Sequence, residues 1–329
     1  MERKYVEFRL GPSDISAVRF GVSPGYELLQ AVRVLMRPRS AQLQQGWFRT
    51  VQKRTRSEEF RLLAVLCGVE GYMPDFLTST PSYHMSPEEK LDRLRQVPSE
   101  RLRFDLQNLA LRSTGNRRHE IKALMSSPDS ARRAIAHAWQ SVWELLLAPF
   151  WPQMIRLLRA DVALRARRNS GAGLAQMAAT LHSTISWADE AVRVQTPSHE
   201  AIVDCNGHGL MLVPSVMMST STCSVLTESP AQPTIFYPAL GVSETWYKDG
   251  PDALDALTAL LGQARAHLIL ELQQPLTTSE CAALTGIAVS TASHHLSVLR
   301  HADLVRSRRE GVRVLHTRTP LGEALAEIQ

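Results

Sequence analysis

Lysine is scarce in this chain of 329 residues. Lys4, Lys53, Lys90, Lys122 and Lys248 are the only ones, so arginine carries nearly all of the positive charge. Such a skew follows from genome composition as readily as from function. Cysteine is scarcer still, and Cys67, Cys205, Cys223 and Cys281 form no close pair. That spacing argues against a disulfide framework and for the reduced thiols of a cytoplasmic protein. Long apolar runs are missing too. No uncharged stretch approaches the ~20 residues of a membrane-spanning helix, and the opening MERKYVEFRL has no signal-peptide core. Nor is there a P-loop, GxGxxG, HExxH or GxSxG, so nothing in the sequence asks for an enzyme or a cofactor. What remains is ordinary globular composition, 44% hydrophobic and 21% charged. A net charge of +5 fits an anionic partner without requiring one.

The informative stretch runs from Thr277 to Thr319. Thr277 and Glu280 are spaced as a capping box, which starts a short helix ending at Thr285-Gly286. A second helix is expected over about Val289–His301. Its Ala292, Leu296 and Leu299 recur at steps of three and four and share one buried face. Ser290, Thr291, Ser293 and His294 fall on other faces, near the end that reaches base edges in a recognition helix. His294 and His295 are adjacent, and a helix turns them about 100° apart, so both cannot face one target. A β-hairpin should follow, with Gly311 at its turn and Val312, Val314 and His316 alternating with Arg313, Leu315 and Thr317. Arg308, Arg309 and Arg313 at its tip suit phosphates or the minor groove. Helix, turn, helix and basic hairpin make a winged helix-turn-helix. From Leu254 onward arginines and carboxylates balance, so the positive charge is local to the wing.

This segment resembles the arsenical-repressor (ArsR) family of bacterial transcription regulators. The resemblance rests on Leu284–Ile287, Ser290–Arg300, Ala302–Val305 and the wing Arg308–Gly311. It implies a homodimer reading an inverted repeat in double-stranded DNA. Ala288 departs from the pattern, since many relatives place a Ser or Thr cap there; the loss weakens the cap by ~1 kcal/mol. Metal-sensing relatives carry paired cysteines before the recognition helix or His and acidic ligands on the last helix. Here Cys281 stands alone, and one thiol cannot close a tetrahedral site. The remainder of the chain resembles the domain of unknown function that large regulators of high-GC bacteria place ahead of such a wing. Gly71–Leu77, Ala148–Pro152, Gly209–Ser215 and Tyr237-Pro238 carry that likeness.

The fold class expected is mainly α, of α+β type. Residues 1–248 should form an N-terminal regulatory or dimerisation domain, helical over 1–182 with a small antiparallel sheet over 183–248. Residues 249–329 should form the winged domain. Asn169–Gly173 reads as a flexible joint, Asn206-Gly207 as a hairpin turn, Lys248–Asp252 as the interdomain linker and Ala253–Leu272 as one amphipathic helix. Cys205 and His208 have the spacing of half a zinc knuckle, but an ordinary polar turn is the simpler reading. Trp139, Trp143, Phe150 and Trp151 read as core rather than a ligand pocket. The whole points to a sequence-specific DNA-binding regulator, with a repressor favoured. Its DNA-facing residues would be Ser290, Thr291, Ser293, His294, His295, Arg300, Arg308, Arg309 and Arg313. No metal, cofactor or membrane is implied, and no effector is named. The alternatives are a winged interaction module that does not bind DNA, and an enzyme within residues 1–245.

Overall fold

Serine and proline start the helices of the first unit. Ser23 accepts a hydrogen bond from the Tyr26 amide (3.2 Å) ahead of Pro24, and Ser86 accepts one from the Glu89 amide (3.1 Å) ahead of Pro87. Such caps satisfy amides that the first helical turn leaves without partners. The computed structural model describes residues 4–37, 43–78, 81–196, 200–227, 232–242, 253–311 and 313–326, with backbone alone at 168–172, 253–256 and 324. The chain divides into two compact units, Met1–Tyr247 and Lys248–Gln329.

The first unit begins with β1 (Lys4–Arg9), α1 (Pro12–Ser16), β2 (Arg19–Phe20), α2 (Pro24–Met36) and α3 (Gln45–Val51). Next come α4 (Glu58–Cys67), α5 (Asp75–Thr78), α6 (Pro87–Arg95), α7 (Ser99–Leu111), α8 (Gly115–Met125), α9 (Pro128–Leu146) and α10 (Trp151–Leu181). The strands β3 (Ile185–Ala188), β4 (Ala191–Thr196), β5 (Ala201–Asp204), β6 (Met211–Ser215), β7 (Ser224–Leu226) and β8 (Thr234–Pro238) follow. Helix α9 is the centre of the helical part. Its stripe of Ala131, Ile135, Ala138, Trp139, Val142 and Leu146 is buried, and α2, α4, α6, α7 and α8 pack on it. Trp139 and Trp143 stack with centroids 5.3 Å apart inside that core, as their helical spacing suggested.

The class is α+β, and the strand part is richer than one antiparallel sheet. Two four-stranded sheets form, ordered β3-β4-β1-β5 and β2-β6-β8-β7. The pairs β1/β5, β2/β6 and β6/β8 are parallel. The N-terminal strands insert between or beside those from 185 onward, a pairing across most of the unit that no local pattern announces. The Asn206-Gly207 turn does form, with both residues at positive φ (48° and 81°), but β5 and β6 then enter different sheets. Turn chemistry set the bend and left the pairing open. At Asn169–Gly173 the backbone stays helical until Gly173, which alone leaves it (φ 81°, ψ 167°). A buried network ties α10 to β8: Tyr237 donates to Asp161 Oδ2 (2.8 Å), and Arg165 lies 3.5 Å from Asp161 Oδ1.

The second unit contains α11 (Ala253–Leu261), α12 (Gln263–Glu271), β9 (Leu276–Thr277), α13 (Thr278–Thr285), α14 (Val289–His301), β10 (Val305–Glu310), β11 (Arg313–Arg318) and α15 (Pro320–Ala326). The helix expected over Ala253–Leu272 is two helices. Gly262 donates to the Thr258 carbonyl (2.8 Å), closing α11, and its φ of 81° turns the chain before α12. The expected linker Lys248–Asp252 and Val312 lie outside the described residues. The core collects Leu268, Ile269 and Leu272 from α12, Cys281 from α13, Leu296 and Leu299 from α14, and Leu304 and Val305 leading into β10. Gly322 in α15 lies so close to Leu304 that a Cβ there would collide with its carbonyl oxygen. Gly322→Ala should therefore destabilise this unit by about 1–3 kcal/mol. Hydrogen exchange of the α14 amides would read the loss as faster opening, and unchanged protection would contradict it.

Candidate nucleic-acid interface

The approach to α14 is built by local chemistry. Thr277 Oγ1 accepts from the Glu280 amide (3.3 Å), while Glu280 Oε2 accepts from the Thr277 amide (2.7 Å). This reciprocal box satisfies two amides at the start of α13. Gly286 then takes the left-handed conformation (φ 67°, ψ 25°) that ends α13. A side chain would strain that backbone, which is why glycine suits the turn. The chain re-enters helix at Val289 with Ala288 as a cap that has no side-chain acceptor.

Helix α14 buries Ala292, Leu296 and Leu299 and leaves the opposite side open. Ser290, Thr291, Ser293, His294 and Arg300 are exposed. His295 differs: it is half-buried, and its Nδ1 is enclosed without a hydrogen-bond partner. Burial, followed by the charge of Arg265 and of His294, pushes its pKa below the ordinary value. The two imidazoles thus divide into one outward and one inward ring, as their angular separation requires.

The wing is a three-stranded sheet in the order β10-β11-β9. Its register pairs Arg308 with Leu315, Arg309 with Val314 and Glu310 with Arg313. Opposed residues of an antiparallel pair share a face and successive residues alternate. Arg306, Arg308 and Arg313 therefore lie on one face, and Arg309 lies on the other with Ser307 and His316. The three tip arginines flank the ribbon rather than form a single row. Arg308 is 82% exposed and lies 3.6 Å from Glu310, a contact worth little in water. Arg309 donates to the Gly311 carbonyl (3.2 Å).

Two residues that position the wing were not singled out by sequence reasoning. His316 is buried between the wing and α13, with Nδ1 2.8 Å from Ser307 Oγ and Nε2 3.0 Å from Thr278 Oγ1. Its place in the alternating pattern of β11 was the available signal. Arg318 donates to the carbonyls of Ile269 (2.6 Å) and Leu270 at the end of α12, and pairs with Glu323 at 3.3 Å. It caps a helix C-terminus, where cations are favoured. Cys281 is buried in the core, and burial pushes its thiol up to about 11. A thiol so placed stays protonated at neutral pH, which disfavours metal ligation. Cys205 is likewise buried and pushed up to about 12.

Residues 267–307 match a family model described as "Bacterial regulatory protein, arsR family". The match begins in α12, spans α13 and α14, and ends within β10. It bears out the resemblance to that family and makes this segment a helix-turn-helix of DNA-binding transcription regulation. No curated protein and no solved structure gives a match to the chain.

Burial, with a smaller effect from Arg300, lowers the pKa of His316 below the ordinary 6.5. The unfolded chain then takes up this proton at higher pH than the folded one. The stability held by neutral His316 is present in full above about pH 6.5 and is lost as pH falls through the lowered folded value. Unfolding of the wild type and of His316→Gln, compared between pH 7.5 and 5.5, should show a weaker loss in the variant. Equal losses in the two proteins would contradict this role.

Proposed function

We propose that this chain, which carries an arsR-type helix-turn-helix over residues 267–307, is a sequence-specific transcriptional repressor acting as a homodimer on an inverted repeat. The observation that carries the reading is the open polar side of α14 beside an arginine-bearing wing, both on one rigid apolar core. Ser290, Thr291, Ser293 and His294 approach base edges in the major groove, where small polar side chains discriminate base pairs. Arg308, Arg309 and Arg313 neutralise phosphates on both sides of the ribbon, and Arg300 serves the backbone from the far end of α14. Ala288 leaves the first amides of α14 without a side-chain acceptor, so water or a phosphate oxygen meets them. His295 sets the seating of α14 from its half-buried position rather than reading a base.

Exposed apolar side chains on the outer helices support a second copy as partner. Leu260 on α11 and Leu321 on α15 are 68% and 54% exposed. Two wing domains related by a two-fold axis would place their α14 helices about 34 Å apart, one turn of the duplex. An inverted repeat matches that symmetry, and a dimer seated on a promoter blocks transcription. On this reading the protein catalyses no reaction, needs no metal or cofactor, and works in the cytoplasm. Among the described residues no helix is long and apolar enough to cross a membrane.

Binding to duplex DNA from upstream of its own gene tests the reading. Footprinting should show two protected half-sites one helical turn apart, and binding no stronger than to unrelated DNA would contradict it. Arg308→Ala with Arg309→Ala should weaken binding to all sequences and flatten the dependence on salt, by about 0.9 in log–log slope for each phosphate no longer neutralised. An unchanged slope would remove the phosphate role. Ser290→Ala or Thr291→Ala should instead relax preference at one base pair by ~1–3 kcal/mol. Operator variants ranked as by the wild type would show that these side chains do not read bases.

A further inference from the structure

The first unit holds a cavity of about 380 Å³, within the range of small-molecule sites. Its floor is an aromatic pair: Tyr26 of α2 stacks on Phe236 of β8, with centroids 3.8 Å apart and planes within 8°. Tyr72 lines it as well, and the guanidinium of Arg112 sits 4.8 Å over that ring. Four successive residues of the β7 segment, Ser224, Val225, Leu226 and Thr227, line a third side. Side chains of a strand alternate between its faces, so four in a row can border one cavity only along the strand's edge. Among the described residues β7 pairs with β8 alone, and the cavity therefore runs beside backbone amides and carbonyls at a sheet edge.

Charge narrows the class of occupant. Asp75 also borders the cavity, but its carboxylate is 1% exposed and meets Arg101 at 2.8 Å. That negative charge is matched inside the protein. Arg112 is exposed, follows the end of α7 and supplies the positive charge at the cavity's rim. An apolar, ring-lined interior with a cation at its rim favours a flat apolar body bearing one anionic group.

We propose that this cavity is a binding site for a small aromatic carboxylate, with the ring against Tyr26, Phe236 and Tyr72 and the carboxylate at Arg112. The site lies wholly within the first unit, and the proposal is independent of the DNA-binding reading.

The test is calorimetric titration of the full chain, without DNA, with 2-naphthoate and with its neutral counterpart 2-naphthamide. Saturable one-to-one binding of 2-naphthoate is expected, at least tenfold tighter than the amide. Arg112→Gln should reduce naphthoate affinity to that of the amide and leave the amide unchanged, and Arg112→Lys should recover part of the loss. Val225→Trp, which fills the cavity, should abolish binding of both probes. Absence of saturable naphthoate binding would overturn the proposal. So would wild-type naphthoate affinity in Arg112→Gln, a variant of an exposed side chain outside the apolar core. Because no DNA is present, either result leaves the reading of α14 and the wing to its own experiments.

Discussion

The second unit depends on one division of labour, the burial of a single stripe of α14. Ala292, Leu296 and Leu299 leave water for a core shared with Leu268, Ile269 and Leu304. Burying apolar side chains of this size is worth roughly 1.5–3 kcal/mol each for the larger ones. The helix has little freedom to roll once those positions are fixed. Its outward residues are therefore presented at set angles, and Ser290, Thr291, Ser293 and His294 gain their orientation from residues on the opposite side. A reading surface of small polar side chains contributes nothing to folding by itself. It can be displayed only because the other face holds the helix in place.

The wing follows the same logic with polar anchors. His316 joins β10 and α13 through the hydroxyls of Ser307 and Thr278, and Arg318 closes the end of α12. Thr319 donates its hydroxyl to the Asp303 carbonyl (2.5 Å) and accepts from the Gly322 amide (3.1 Å), which binds the start of α15 to the turn before β10. Every one of these groups lies inward of the tip arginines. The charged tip is thus mounted on a braced ribbon while its own side chains remain in solvent, where charge is cheap to keep and readily given to phosphate.

How much could be read from residues alone follows from the range of the forces involved. The capping box at Thr277, the left-handed Gly286, the buried stripe of α14 and the hairpin around Gly311 are local, and their chemistry is written within a few positions. The split at Gly262 was local too, but a sustained leucine pattern masked it. The sheets of the first unit were not legible. Lys4–Arg9 has an alternating pattern, yet nothing near it says that it lies between β4 and β5. Pairing across so much chain is decided by the whole core. Aromatic spacing placed Trp139 and Trp143 in the core, whereas the Tyr26–Phe236 stack joins residues from distant elements and left no trace in the sequence. His316 lay in plain view within an alternating strand, but its two hydroxyl partners come from elsewhere in the unit.

Hydrogen exchange of the full chain, free and bound to a duplex from upstream of its own gene, probes this account most directly. Bound DNA should slow exchange over residues 288–296 and 306–311, the start of α14 and the first strand of the wing. Binding that left both segments exchanging at the rate of the free protein would contradict the claim that this helix and ribbon meet the DNA.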